Sequence, residues 1–122
     1  MGIAIKRVYE PAAGSDGYRV LIDRLWPRGL KKEAVPFDIW AKELAPSHDL
    51  RHWFGHDPER WDGFRQRYAA ELDAAAEHWQ PLAERSRRHT VTLLYSAHDE
   101  EHNNAVALKA HMENWLRTHG PG

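Results

Sequence analysis

The chain has no cysteine among its 122 residues. That excludes disulfides, thiolate nucleophiles, cysteine-ligated zinc and iron–sulfur clusters, and it fits a reducing cytoplasm. No stretch approaches the roughly 18 consecutive apolar residues of a membrane span, and Met1 to Arg7 lacks the apolar centre of a signal peptide. The expectation is an unprocessed cytoplasmic protein with no membrane partner. A dominant charge is missing too: 17 basic and 18 acidic residues leave a formal net charge of -1, which gives no overall field to draw in a polyanion. Nucleic-acid contact would need a local basic patch. There is no internal repeat and no low-complexity segment, and a chain of this length buries about two thirds of its unfolded surface around one core. Residues 1–122 are therefore expected to form a single domain. What is abundant is tryptophan and histidine, with six and nine residues. Trp40, Trp61, Trp79 and Trp115 are assigned to packing, whereas Trp26 and Trp53 are held back as candidate contacts.

Residues 3 to 9, IAIKRVY, read as a half-exposed strand, and the turn formers between Glu10 and Gly17 read as a surface loop. Tyr18 to Asp23 is a second strand whose unbroken Val20-Leu21-Ile22 predicts burial on both faces, as in a sheet covered by helices. A short helix is predicted from Pro36 through Leu44, with Ile39, Trp40 and Leu44 as its stripe, and Ala45-Pro46 ends it. Ser47 is placed to cap a helix over His48 to Phe54, which Gly55 closes. Asp57, Pro58 and Glu59 form the clearest helix start, and the helix beyond them carries Trp61, Phe64, Tyr68, Leu72 and Ala75 or Ala76 on one face. Pro81 predicts a break or new start near Trp79, with Leu82 to Arg87 as a further piece. Thr90 to Ser96 is the best-defined strand. The final helix begins near Glu101 or Asn103, buries Ala105, Leu108, Met112, Trp115 and Leu116, and stops at Gly120-Pro121. Strands separated by helices predict a small α/β sandwich with a short, mostly parallel sheet covered by helices.

In parallel sheets ligands bind outside the carboxyl ends of the strands, and two loops leave those ends: Asp23 to Lys32 and Ser96 to Asn104. The first, in VLIDRLWPRGLKK, delivers an aspartate and several cations into a turn built around Pro27 and Gly29. Arginine forks suit carboxylate or phosphate oxygens, and glycine admits close backbone approach to a ligand. A bland alternative is a salt bridge from Asp23 to one arginine with Trp26 as a lid on the core. One aspartate, however, cannot satisfy both Arg24 and Arg28. The second loop offers backbone N–H groups at a strand-to-helix turn, yet it also holds Asp99, Glu100 and Glu101. Like charges a few ångströms apart repel by about 4 kcal/mol at an effective dielectric of about 20, against about 0.3–1 kcal/mol for a charge at a helix end. An anion there needs those acids turned away and Arg24 or Arg28 as counter-charge. Simple complementarity to the helix dipole is the blander account of the three acids.

His98 and His102 stand four apart, a superficial likeness to the HExxH zinc motif, and no metal ligand is assigned. His48, His52 and His56 recur every four residues, but Gly55 should end the helix before His56. Ser96 beside His98 lacks a nucleophile elbow and a third triad member. Of Asn103 and Asn104, one is expected to cap the last helix and the other to be free for a ligand.

The stretches KRVYEP, SDGYRVLIDRLWPRGLKK, KELAPS, LRHWFGHDP, FRQRYAAEL and TLLYSAHDEEHNNAVAL resemble the short, YeaO-like branch of the DUF488 family of bacterial proteins, whose function is uncharacterised. The resemblance covers nearly the whole chain. It implies an α/β domain whose marked positions are Asp23, Arg24, Trp26, Pro27, Arg28 and Gly29 in the first loop and Tyr95, Ser96 and Asn103 in the second. Longer members of the wider family carry a cysteine and a histidine near the second loop, and the metal-binding role proposed for those does not transfer to a chain without cysteine.

The leading expectation is an anion-recognising domain, in the form of a small enzyme acting on a phosphorylated or carboxylated metabolite or nucleotide. Arg24 and Arg28 would hold the anion, with Gly29 admitting it; Asp23 would orient an arginine or act as acid or base, and Trp26 would offer a stacking wall. Tyr95, Ser96, His98 and Asn103 complete the rim, His98 being the group that titrates near neutral pH. No cofactor is named by the sequence. One alternative is a non-catalytic nucleic-acid or protein binding module using Lys6, Arg7, Arg24, Arg28, Lys31 and Lys32, with Trp26 or Trp53 stacking on bases. Another is a histidine-based metal or haem binder. Exposure of Trp53 or Trp79 would favour a homodimer.

Overall fold

The computed structural model describes residues 2–120. Among them, strands β1 (Gly2–Arg7), β2 (Tyr18–Leu21), β3 (Ile39–Trp40) and β4 (Thr90–Tyr95) form one sheet in the order β1-β4-β2-β3, with every neighbouring pair parallel. Helices α1 (His48–Phe54), α2 (Trp61–Ala74), α3 (Ala76–Arg85) and α4 (Asn104–Thr118) complete the α/β architecture that the alternation of patterns predicts.

β4 lies between β1 and β2, so Val91 to Tyr95 are all buried. The period of two sends its side chains into two cores. Val91, Leu93 and Tyr95 join Val20 and Ile22 against Phe64, Tyr68 and Leu72 of α2 and Leu108 and Met112 of α4. Leu94 and Leu21 pack on the opposite face with Val8, Val35 and the half-buried Trp26, Phe37 and Trp40. Helices therefore cover one face, and the long segment after β2 covers the other.

The predicted helix from Pro36 to Leu44 is corrected: these residues hold β3 and a 3₁₀ turn at Lys42–Leu44. The open edge of β2 captures the chain. Asp38 N–H donates to the Arg19 carbonyl (2.8 Å), Ala41 N–H to the Leu21 carbonyl (2.8 Å), and the Asp38 carboxylate accepts the Arg19 N–H (2.7 Å). A two-residue strand leaves no periodic signal, so its neighbours' helical spacing misleads. The expected break at Pro81 is also corrected, because Pro81 lies inside α3 and the turn falls at Ala75. Trp79 sets that geometry: its indole N–H donates to the Leu72 carbonyl (2.7 Å), folding α3 back on the end of α2. Ser47 caps α1 and Asp57 starts the turn into α2 as predicted. Of the predicted stop for α4, the helix ends at Thr118, two residues before Gly120, and Pro121 lies outside the described residues.

The connection from β1 to β2 must step across β4 and does so without an α-helix. Asp16 anchors it. Its carboxylate accepts from Lys6 Nζ (2.9 Å), Ala13 N–H (3.0 Å) and the Arg19 guanidinium, and its carbonyl accepts from Thr92 Oγ1 (2.6 Å). Asp16 and Arg19 are only 7% and 6% exposed. Burial alone would raise the Asp16 pKa, but the hydrogen bonds from Lys6, Ala13 and Arg19 outweigh it and hold the carboxyl below the usual range. Gly17 closes this loop at φ 64°, and a Cβ there would stand 2.3 Å from the Thr90 carbonyl oxygen, so the position requires glycine.

Candidate functional site

All strands being parallel, the loops after β2 and β4 leave the same edge of the sheet, and Asp23 joins them. Its carboxylate accepts the Ser96 N–H (2.9 Å), the Ser96 hydroxyl (2.7 Å) and Asn104 Nδ2 (3.0 Å). Its carbonyl accepts the Trp40 indole N–H (2.6 Å), which ties in β3. Beside this clamp lies a cavity of about 690 Å³, lined by Asp23 to Arg28, by Ala45, Pro46, Arg51, Phe54, His56 and Phe64, by Ser96 to Asp99 with Asn103 and Asn104, and by Tyr9. That volume falls in the range of about 300–1,000 Å³ typical of small-molecule sites.

The charges of the lining are unequal in their partners. Asp23 is engaged as described. Asp99 accepts the N–H groups of Glu101 and His102 (each 2.9 Å) and pairs with His102 Nδ1 (3.0 Å). The Glu101 N–H bond, then that of His102, holds the Asp99 carboxyl below its ordinary range. The side chains of Arg24, Arg28 and Arg51, by contrast, form no ion pair or hydrogen bond among the described residues, and Arg51 Nε is buried without a partner. A buried donor left unpaired costs about 1–3 kcal/mol, and more when charged. The alternative of an Asp23–arginine salt bridge is thus not what forms.

The acids of the second loop do not sit in the first turn of α4, which contains none, so simple dipole complementarity is not their role. Asp99 instead turns its carboxylate onto the loop's own backbone, and Glu100 and Glu101 are exposed outside the cavity lining. Asn103 is the helix cap: its Oδ1 accepts the Val106 N–H (3.0 Å) while its Nδ2 donates to the Asp99 carbonyl (2.8 Å). Both ends of that amide are engaged, and Asn104 is the one that reaches Asp23.

The other predicted site residues divide as follows. Arg24, Trp26, Arg28, Ser96, His98 and Asn103 line the cavity, whereas Gly29 and Tyr95 do not. Gly29 adopts φ 82° and shapes the turn. Tyr95 is 2% exposed, and burial, followed by the charges of Glu100 and Glu10, pushes its phenol above its ordinary range. Trp26 donates its indole N–H to the Leu30 carbonyl (2.6 Å) and packs edge-on against Trp40 at 5.5 Å, so it is both core lid and cavity wall. The Ser96 hydroxyl is directed to Asp23, and His98 Nδ1 stands 3.5 Å from Arg7 Nη2. His102 is engaged by Asp99 and meets Trp61 edge-on, so the two histidines do not face a common centre. Among the described residues no group of three histidine or carboxylate side chains is placed to hold a metal ion.

Two residues of the anticipated basic face are internally engaged: Lys6 with Asp16, and Arg7 with the carbonyls of Ser96 (3.2 Å) and Ala97 (2.9 Å). Trp79 is 2% exposed and supplies no dimer surface, while half-buried Trp53 lies beneath Arg67, whose guanidinium carbon is 3.9 Å from the ring centroid.

Arg51 and Leu25 carry no sequence assignment, and His56 enters the sequence reading only as the third member of the four-residue histidine repeat. The signal for Arg51 is its place one turn before the buried Phe54, which puts a cation on the flank of a core-facing stripe. Gly55 and His56 both adopt positive φ, 53° and 57°, and this reversal turns His56 onto the cavity.

A family model described as the "Inactive DUF488-N3 subclade" matches residues 2–121. The uncharacterized protein YeaO of Escherichia coli (strain K12) is 44% identical over 118 residues, 97% of this chain and 99% of that protein. Uncharacterized proteins of Mycobacterium bovis and Mycobacterium tuberculosis are 49% identical over 75 residues, 61% of this chain and 64% of theirs. No solved structure matches the chain. The chain therefore belongs to the DUF488 family of uncharacterized bacterial proteins, in its inactive DUF488-N3 subclade and alongside YeaO.

Proposed function

We propose that the cavity at the carboxyl edge of the sheet is a receptor site for an anionic small molecule, which it binds without altering. The observation that carries this reading is the imbalance of partners: among the described residues both acids of the lining are engaged, and none of the three arginine side chains is. Arg24 and Arg28 supply the counter-charge, Trp26 a wall, Gly29 the turn that presents Arg28, and Ser96 and Asn103 the rim. Asp23 acts as the clamp between loops, since three donors already occupy its carboxylate. His98 sits exposed at the mouth beside Arg7 as the remaining polar group of the rim. The word "inactive" in the family description supports binding over catalysis.

The test is a thermal-shift screen of phosphorylated and carboxylated metabolites on the wild type and on Arg28→Ala. A ligand at 100 times its dissociation constant stabilises a fold by about 2.7 kcal/mol, which for a domain of this size raises the melting temperature by several degrees. The expected result is such a shift in the wild type that shrinks in Arg28→Ala. An absence of any shift would count against the reading. Stabilisation by oligonucleotides alone, with affinity falling steeply as salt rises, would replace it with a nucleic-acid role.

A further inference from the structure

We infer that Arg51 is the head-group anchor of this cavity and that the ligand is an oxyanion carried on an apolar, ring-sized body. The inference rests on the anion-receptor reading above and goes further by naming the ligand class and the residue that selects it. Arg24 and Arg28 are exposed, so water can satisfy their guanidinium groups when the cavity is empty. Arg51 differs: it is partly buried, and its Nε is closed to solvent without a partner among the described residues, which leaves its Nη groups as the edge open to the cavity. A guanidinium presents its two Nη groups side by side, a fork that matches two oxygens of a carboxylate or phosphate. In Arg51 that fork has no carboxylate or carbonyl partner among the described residues.

The surroundings specify the rest of the molecule. Phe54, one turn further along α1, lines the same cavity with Phe64, Ala45 and Pro46, and Leu25 is 70% exposed at its mouth. An inorganic oxyanion, a few times the roughly 30 Å³ share of one water, would leave most of about 690 Å³ unfilled and the apolar surface of Leu25 and half-buried Trp26 wet. A ligand whose oxyanion meets Arg51 and whose flat apolar body lies against Leu25 and Trp26 fits both features.

The test measures affinity by titration calorimetry with phenyl phosphate and phenylacetate as head plus body, inorganic phosphate as head alone and benzyl alcohol as body alone. Phenyl phosphate or phenylacetate is expected to bind at least tenfold tighter than either part, and the tighter of the two identifies the head. Arg51→Met, which keeps the apolar stem, should cost at least tenfold. Arg51→Lys should do likewise, because it keeps the charge and loses the fork, and it serves as the test if the methionine variant does not fold. Unchanged affinity in a folded Arg51 variant, or inorganic phosphate binding as tightly as phenyl phosphate, overturns the inference. If inorganic phosphate still binds and Arg28→Ala weakens it, only the Arg51 assignment has failed. If no anion binds the wild type, the receptor reading has failed with it.

Discussion

Asp16→Ala is expected to lower the free energy of unfolding by about 3–5 kcal/mol, the usual cost of removing one partner from a buried ion pair. The substitution leaves Arg19, 6% exposed, without its carboxylate, and frees the Ala13 N–H and Lys6 that hold the crossing loop in place. Total stabilities of domains lie near 5–15 kcal/mol, so a shift of this size is plain in a urea titration. Lys6→Met should cost far less, because Asp16 keeps Arg19. The pH dependence has a fixed sign. The folded Asp16 pKa is depressed, so its contribution is complete above the unfolded value of about 4 and is lost as pH falls through the folded value. The depressed pKa of Asp99 acts in the same direction. Wild type and Asp16→Ala should therefore converge in stability as the pH is lowered from about 5, and a gap that widened instead would contradict the role given to the carboxylate.

Asp23→Ala should cost about 3–4 kcal/mol, since hydrogen bonds to a charged acceptor are worth about 1.5–3 kcal/mol each and three sharing one carboxylate are not additive. Its effect on binding separates two accounts of the residue. Were Asp23 merely a negative charge beside an anion site, its removal would tighten anion binding. As the clamp between Ser96 and Asn104 it positions the cavity walls, and its removal should weaken anion binding although a repulsive charge is gone. Calorimetry on Asp23→Ala at a temperature where it is folded reads this directly. Asp23→Asn, which keeps one acceptor oxygen, should fall between the two in stability.

Much of the fold is legible in the sequence because it depends on periodicity and caps. The run Thr90 to Tyr95, the Ser47 cap, the Asp57-Pro58 start and the Phe64, Tyr68, Leu72 stripe all stand where their local signals put them. β3 is not legible, since two residues pair only because β2 offers a free edge, a tertiary fact with no local cause. Pro81 misleads for the opposite reason: a proline alone marks a break, yet the Trp79 bond to Leu72 decides where the chain turns. The two loops of the site follow from strand order, and so does their meeting. What the sequence leaves open is which charges are spent. Asp23 stands between Ile22 and Arg24, and nothing local tells that its partners are Ser96 and Asn104, more than seventy residues away. Spacing puts Arg51 on the flank of the stripe that ends in Phe54, and only the packing of α1 brings it into the cavity.

The most direct measurement is the set of arginine Nε–H resonances in ¹H–¹⁵N spectra, assigned with single lysine substitutions and followed through a titration with phenyl phosphate. The expected result is a saturable shift of Arg51 and Arg28, while Arg67 and Arg85, stacked on Trp53 and Tyr18 away from the cavity lining, stay in place. Equal shifts at all of these, or none at Arg51 and Arg28, would contradict an anion site at the carboxyl edge of the sheet.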